Sequence, residues 1–361
     1  YFSSTKLAWL LDNVEGARQA ATNAQLCFGT VDSYLIWRLS NGRRHVTDAT
    51  NASRTQLFDI NTQTWSAELL AYFDIPDTLL PEVLDSAAGF AIADTEWFGA
   101  PIPITGVAGD QQSALIGQAC FAPGMSKSTY GTGCFAMTNT GEQRPRSNQR
   151  LLATVAYRLR GQTTYALEGS IFVAGVAIRW LRDQLNLIAD AAETQAAFER
   201  CNGDAQGVFV VPAFTGLGAP HWQPSVRGLI TGLTLDSNRD QVITATLQSV
   251  VLQTQELLQA MAQDGASVET LRIDGGMVVN DALCQCLADL LNVQVQRPVD
   301  VETTARGAAI LAALGCGQLV DLTDAANSWQ LDQTFSPQMS AERRQQLLDG
   351  YERAVIQAMA S

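Results

Sequence analysis

Gly109-Asp110-Gln111-Gln112 stands where a run carrying Ile102, Ile104 and Val107 gives way to the small, apolar stretch Gln111–Cys120. The pattern predicts a strand over Pro101–Val107 running directly into a helix. A carboxylate at such a join lies at the mouth of a sheet, beside the positive end of a helix dipole. It stays ionised and aimed outward, fit to accept a hydroxyl proton. Asp is also a leading helix N-cap, and the two roles are compatible.

Two further turns have the composition of nucleotide contacts. Thr129-Tyr130-Gly131-Thr132-Gly133 follows a run that reads as a strand. Its glycines let backbone N–H groups approach a phosphate, with the Thr132 hydroxyl as an added donor. A plain β-hairpin turn has the same composition, and the motif is neither a Walker A loop nor a dinucleotide fingerprint. Asp274-Gly275-Gly276 ends another strand, with Asn280 near the next helix start. A flat ring or a phosphate can lie against such glycines and bond to the Asn, although a strand-to-helix turn with an N-cap reads alike. Ala174-Gly175 and Gly307-Ala308-Ala309 suit helices packed closely on a sheet, with close approach to a ligand as the alternative for Gly175. Trp37, Trp180 and Trp222 read as core or shell residues, and Arg43-Arg44-His45 as a solvated turn.

The elements that must position these groups follow from periodicity. Helices are predicted over Lys6–Val14, Asp32–Leu39 and Leu69–Leu80, with Val46–Phe58 as irregular or strand structure between them. Ala122-Pro123-Gly124 breaks the chain, and the strands Ser126–Tyr130, Cys134–Asn139, Leu151–Arg158 and Thr163–Glu168 follow. A helix at Val173–Gln184, a strand at Gly207–Val211 and a long helix from Arg239 to Met261 come next. The series then continues as Thr270–Ile273, Asp281–Leu291, Val293–Gln296 and Thr304–Leu314, closing on a helix over Ala341–Met359. This is an α/β chain in two parts, divided near residue 120.

Composition removes several classes of function. The chain has 361 residues, 47% of them apolar, and a net charge of −13, which disfavours nucleic acid and anionic membranes as partners. Seven scattered cysteines are no disulfide framework and read as small buried hydrophobes of a reducing cytoplasm. With two histidines there is little material for a His-based triad or a multi-His metal site. The apolar run Ile171–Ile178 is far too short to span a bilayer.

Jointly these motifs say more. The order Phe28-Gly29-Thr30-Val31-Asp32, Thr50-Asn51-Ala52-Ser53-Arg54-Thr55, Gly109-Asp110-Gln111-Gln112, Thr129–Phe135, Val211–Pro220 and Asp274-Gly275-Gly276 closely resembles the FGGY carbohydrate kinase family, over essentially the whole chain. The Gly-Asp-Gln-Gln and Gly-Thr-Gly-Cys-Phe forms look like its glycerol-phosphorylating branch. The resemblance implies two actin-like, ribonuclease-H-like ATPase domains with ATP and substrate in the cleft between them. Residues 1–119 would belong to the substrate domain and 120–361 to the nucleotide domain. It implies transfer of a phosphoryl group from Mg2+-ATP to the terminal hydroxyl of glycerol. Asp110 matches the catalytic base. Tyr1, Asp110, Gln111 and Phe135 match substrate contacts, while Thr132, Gly175, Arg179, Gly276 and Asn280 match nucleotide contacts. No protein ligand for the metal is assigned. A homo-oligomer is compatible with the family, the sequence itself defining no oligomeric state.

Three departures from the family pattern stand out. Its members begin well upstream of Tyr1, and that part holds a first phosphate loop, an Mg-linked aspartate and further glycerol contacts. The first domain is therefore expected to be incomplete and the 361-residue chain to turn over weakly or not at all. Arg179 stands where the family often has Gln near the adenine, and Asp94–Pro101 lacks the Gly- and basic-rich loop that binds a sugar bisphosphate in some bacterial members. Other expectations are a kinase for another polyol or a ketose, or an actin-like ATP-binding module without turnover.

Overall fold

In a computed structural model, residues 2–360 are described. Tyr1, matched above to a substrate contact, lies outside them. The organising element is a seven-stranded mixed sheet. From edge to edge it runs Leu331–Phe335, Gln294–Pro298, Thr270–Asp274, Ser126–Tyr130, Cys134–Gly141, Gln162–Ile171 and Leu152–Leu159. Ser126–Tyr130, Thr270–Asp274 and Gln294–Pro298 are mutually parallel, and the flanking strands are antiparallel. Register places Asp274 beside Thr129, so the Asp274-Gly275-Gly276 turn and the Gly131–Gly133 turn leave the sheet at the same end.

Alternation along the central strand separates its two faces. Ser128 and Tyr130 face one side, where the Tyr130 hydroxyl donates to Thr254 of the helix Arg239–Gln263 at 3.2 Å. Tyr130, Leu167, Val250 and Leu257 belong to the large core on that side. Lys127 and Thr129 face the other side, which the helices Asp110–Gly117 and Thr303–Gly315 cover. There Leu115, Ile116, Met137, Ile310 and Leu311 form a second core. Gly307 packs helix on helix rather than helix on sheet: a Cβ there would overlap the Ser113 carbonyl oxygen. A third core, around Leu7, Leu11, Leu57, Leu70 and Leu79, lies wholly in the first part of the chain.

Several sequence expectations are corrected. Leu69–Leu80 is a short helix, Ala67–Tyr72, and a separate 3-10 turn, Asp77–Leu79, because Pro76 between them disfavours helix at Ile75. Val46–Phe58 contains the helix Ala49–Ala52, capped by the buried Asp48. Of the tryptophans read as core or shell, Trp37 is 40% exposed and so not core, and Cys27 and Cys316 are exposed rather than buried. Cys120, Cys134, Cys284 and Cys286 are buried, and burial pushes the thiols of Cys120 and Cys134 up to about 12 and about 11. Among the described residues no helix is long and apolar enough to cross a membrane.

Candidate functional site

Asp110 is the first residue of the helix Asp110–Gly117; the N-cap is Gly109, with extended backbone, so the capping reading of Asp110 is corrected. Its Oδ1 accepts from the Gln111 backbone N–H at 2.8 Å and its Oδ2 from Gln111 Nε2 at 3.3 Å. The carboxylate is exposed, with capacity left for a hydroxyl proton. Its loop is anchored from below. Gly109 N donates to Thr50 Oγ1 at 2.8 Å, and Thr50 Oγ1 donates to Asp48 Oδ1 at 2.8 Å. Asp48 also accepts from Thr50 N, Asn51 N and Ser86 Oγ. Burial raises its carboxyl above the usual carboxylate range, and those bonds oppose the shift.

Gln111 reaches inward to a residue that sequence reasoning missed. Lys127, fully buried on the central strand, donates to Gln111 Oε1 at 2.5 Å, to Thr129 Oγ1 at 3.0 Å and to the Phe135 carbonyl at 3.5 Å. Burial lowers the affinity of its ammonium for the proton, and Asp274, Glu168, Cys134 and Asp110 raise it. The available signal was a lysine two residues before Thr129, inside a strand whose neighbours are buried on both faces. Phe135 lies opposite Thr129 in the antiparallel register, so its backbone joins the same cluster. Beyond it, Arg54 holds the fully buried Glu168 through two bonds, at 2.8 and 2.9 Å.

The second group of predicted residues gathers at the sheet end. The Thr129–Gly133 segment is a hairpin turn, closed by Gly131 N donating to the Gly133 carbonyl at 2.9 Å. The start of the helix Gly175–Asp183 packs on it: Gly175 N donates to the Gly131 carbonyl at 2.9 Å, and Val176 N to the Thr132 carbonyl at 3.1 Å. A Cβ on Gly175 would sit 2.6 Å from the Gly131 oxygen, which explains glycine there by packing alone. Arg179, one turn further, donates to Thr132 Oγ1 at 3.4 Å. Gly275 (φ 93°) folds its turn back under Tyr130, and a Cβ there would lie 2.5 Å from the Tyr130 oxygen. Gly276 has open space where a Cβ would be. Asn280 caps the helix Asp281–Leu291 by accepting from Leu283 N at 3.0 Å, and its amide donates to Thr194 at 3.0 Å. A cavity of about 780 Å3 beside this group is lined by Arg179, Trp180, Phe214 and Arg227, and does not include Asp110.

Two clusters therefore stand on one sheet: a carboxylate–amide–ammonium line at Asp110, and a set of glycine turns and helix starts at the strand ends. This is the organisation of a two-domain kinase of the actin-like, ribonuclease-H-like ATPase fold. The chain belongs to the FGGY family of carbohydrate kinases, matching its N-terminal domain over residues 1–117 and its C-terminal domain over residues 127–316. It is 56% identical to the glycerol kinase of Alteromonas mediterranea, over 100% of this chain and 73% of that protein. It is 58% identical to glycerol kinase 1 of Pseudomonas aeruginosa, over 98% and 72% respectively. A crystal structure of Plasmodium falciparum glycerol kinase with ADP superposes with a TM-score of 0.92 at 35% identity, covering 99% of this chain and 72% of that one. A xylulose kinase from Rhodospirillum rubrum, 21% identical with a TM-score of 0.84, shares the fold.

Proposed function

We propose that the activity this chain serves is ATP-dependent phosphorylation of glycerol, yielding sn-glycerol 3-phosphate and ADP, in the cytoplasm. The observation that carries the reading is the exposed Asp110 carboxylate at a strand–helix join, bonded to a Gln111 amide that Lys127 holds from beneath. Asp110 accepts the proton of the attacking hydroxyl as its oxygen bonds to the γ-phosphorus and the bond to ADP breaks. In a loose transition state the proton leaves late, so a carboxylate pKa far below that of an alcohol is no obstacle. Gln111 bonds a substrate hydroxyl, and Phe135 packs on the carbon chain and excludes larger sugars.

Residues 1–119 form the substrate side and 120–361 the nucleotide side in this reading. Thr132 and the Gly131–Gly133 turn lie against the phosphates, while Gly276 leaves room for a flat ring against backbone. Gly175, Arg179 and Asn280 line the same nucleotide. Mg2+ is carried chiefly by phosphate oxygens and water in such reactions, and neutralises charge on the transferring group. Among the described residues there is no cluster of three acidic, His or Cys side chains to hold it independently.

The test is a substrate panel with the natural gene product that contains this chain. Mg2+-ATP consumption that depends on glycerol, with sn-glycerol 3-phosphate as product, supports the reading. A higher kcat/KM on another polyol or a ketose redirects the substrate. Nucleotide binding indifferent to every polyol, with no phosphorylated product, makes the chain an actin-like binding module instead.

A further inference from the structure

Lys127 occupies a position where an apolar side chain is the ordinary choice. It is fully buried, on the middle strand of the sheet, under the helix that carries Asp110. Taking an ammonium out of water costs several kcal/mol unless its surroundings compensate. Here the three groups within reach of Nζ are Gln111 Oε1, Thr129 Oγ1 and the Phe135 carbonyl, all able to accept. An ammonium has three N–H donors and no lone pair, so this nest fits the charged form.

That chemistry decides which way Gln111 points. Turned over, the amide would set its own NH2 against three N–H donors. With Oε1 on Lys127, the Gln111 NH2 faces the other way and donates to Asp110 Oδ2 at 3.3 Å. The second N–H of that amide is left for an oxygen lone pair. The terminal torsion of Gln is broad and roughly two-fold, so the backbone of Gln111 does not by itself select the orientation. A flipped amide would bring an oxygen against the carboxylate.

We propose that Lys127, which itself makes no contact with the substrate, is a positioning residue: by holding Gln111 Oε1 it makes Gln111 purely a donor toward Asp110 and the reacting polyol. The proposal rests on the reading of Asp110 and Gln111 given above. A substrate hydroxyl then receives an N–H bond from Gln111 on its lone pair while another of its contacts is the Asp110 acceptor. The site accordingly requires an oxygen lone pair at this point.

The experiment is a double-mutant cycle in the natural gene product, with K127M, Q111L and the pair. Turnover on glycerol, ADP affinity and melting temperature are measured for each. K127M lowers kcat by about 10–100-fold, the loss expected from a slightly misplaced group. Its ADP affinity stays within about twofold of the parent. The double variant falls within about twofold of the slower single one, because both substitutions remove one linkage. K127M with kcat within about threefold of the parent overturns the proposal, as do penalties that simply multiply. A loss of ADP affinity in step with kcat also overturns it, since that is the mark of a general packing role. Should K127M not fold, K127L, which likewise has no N–H donor, runs the same cycle to the same outcomes. A parent protein without glycerol-dependent turnover fails the functional reading itself, and this proposal with it.

Discussion

Gln118 and Asp274 lie 156 residues apart, yet the buried Gln118 side-chain amide donates to Asp274 Oδ2 at 2.7 Å. Gln118 follows directly on the helix Asp110–Gly117, and Asp274 begins the glycine turn at the strand end. Gln118 Oε1 accepts in turn from Trp329 Nε1 at 3.1 Å, and the Gln118 carbonyl from Arg272, whose guanidinium lies 3.9 Å over the Trp329 ring. The end of the helix carrying Asp110 is thereby fastened to the turn assigned to the nucleotide.

Replacing Gln118 by Leu leaves the Asp274 carboxylate and the Trp329 N–H each short of a partner. Q118L is expected to lower stability by about 1–3 kcal/mol, the usual penalty for an orphaned buried polar group. Urea denaturation of parent and variant measures it, and an unchanged midpoint at equal slope contradicts the linkage.

Asp110→Asn keeps the size and the backbone contact but removes the proton acceptor. General-base assistance contributes about 10²–10⁴-fold, so kcat should fall by at least about 10²-fold with ADP affinity retained. Steady-state kinetics on glycerol and calorimetry with ADP check both parts. Glycerol-dependent ADP release undiminished in D110N would remove the role given to Asp110.

The Arg54–Glu168 pair has a fully buried carboxylate member and two bonds of 2.8 and 2.9 Å. R54M strands Glu168 without its partner and should cost about 3–5 kcal/mol. The double variant R54M/E168L removes both charges and should cost less than R54M alone. Thermal melts of the two variants give the order, and a costlier double variant contradicts it.

His221 Nε2 lies 3.1 Å from Glu256 Oε1, and this bond raises the His221 pKa above its ordinary 6.5, partly offset by burial. A raised folded pKa means that the protonated form stabilises the fold. That contribution is complete below the unfolded value and disappears as pH rises through the folded one. H221N should therefore lower stability relative to the parent in mildly acid solution, and the difference should shrink toward alkaline pH. Denaturation curves at matched ionic strength across this range test the sign.

Legibility from sequence followed the locality of the cause. Asp281–Leu291 was predicted residue for residue, because Asn280 caps it and its apolar spacing is regular. Ser126–Tyr130 was equally legible, since a proline and glycine precede it and glycines follow. Leu69–Leu80 was misread because apolar spacing continued across Pro76, where the backbone could not. Ala49–Ala52 was missed because its cap, Asp48, is supported by Ser86 from a distant segment. Lys127 drew no reading from the sequence, because the helices that cover its face come from segments on either side of its strand.

Residue types and spacing alone determined the α/β class, the strand ends that carry glycine turns, and Asp110 at a strand–helix join. These depend on periodicity, turn chemistry and capping, which act within a few residues. Only the tertiary structure decided that Gly109 rather than Asp110 caps its helix, that Gln111 is oriented by Lys127, and that Gln118 meets Asp274. Each of those rests on partners 16 to 156 residues apart or on backbone geometry, and such pairings exist only once the sheet and its helices are assembled.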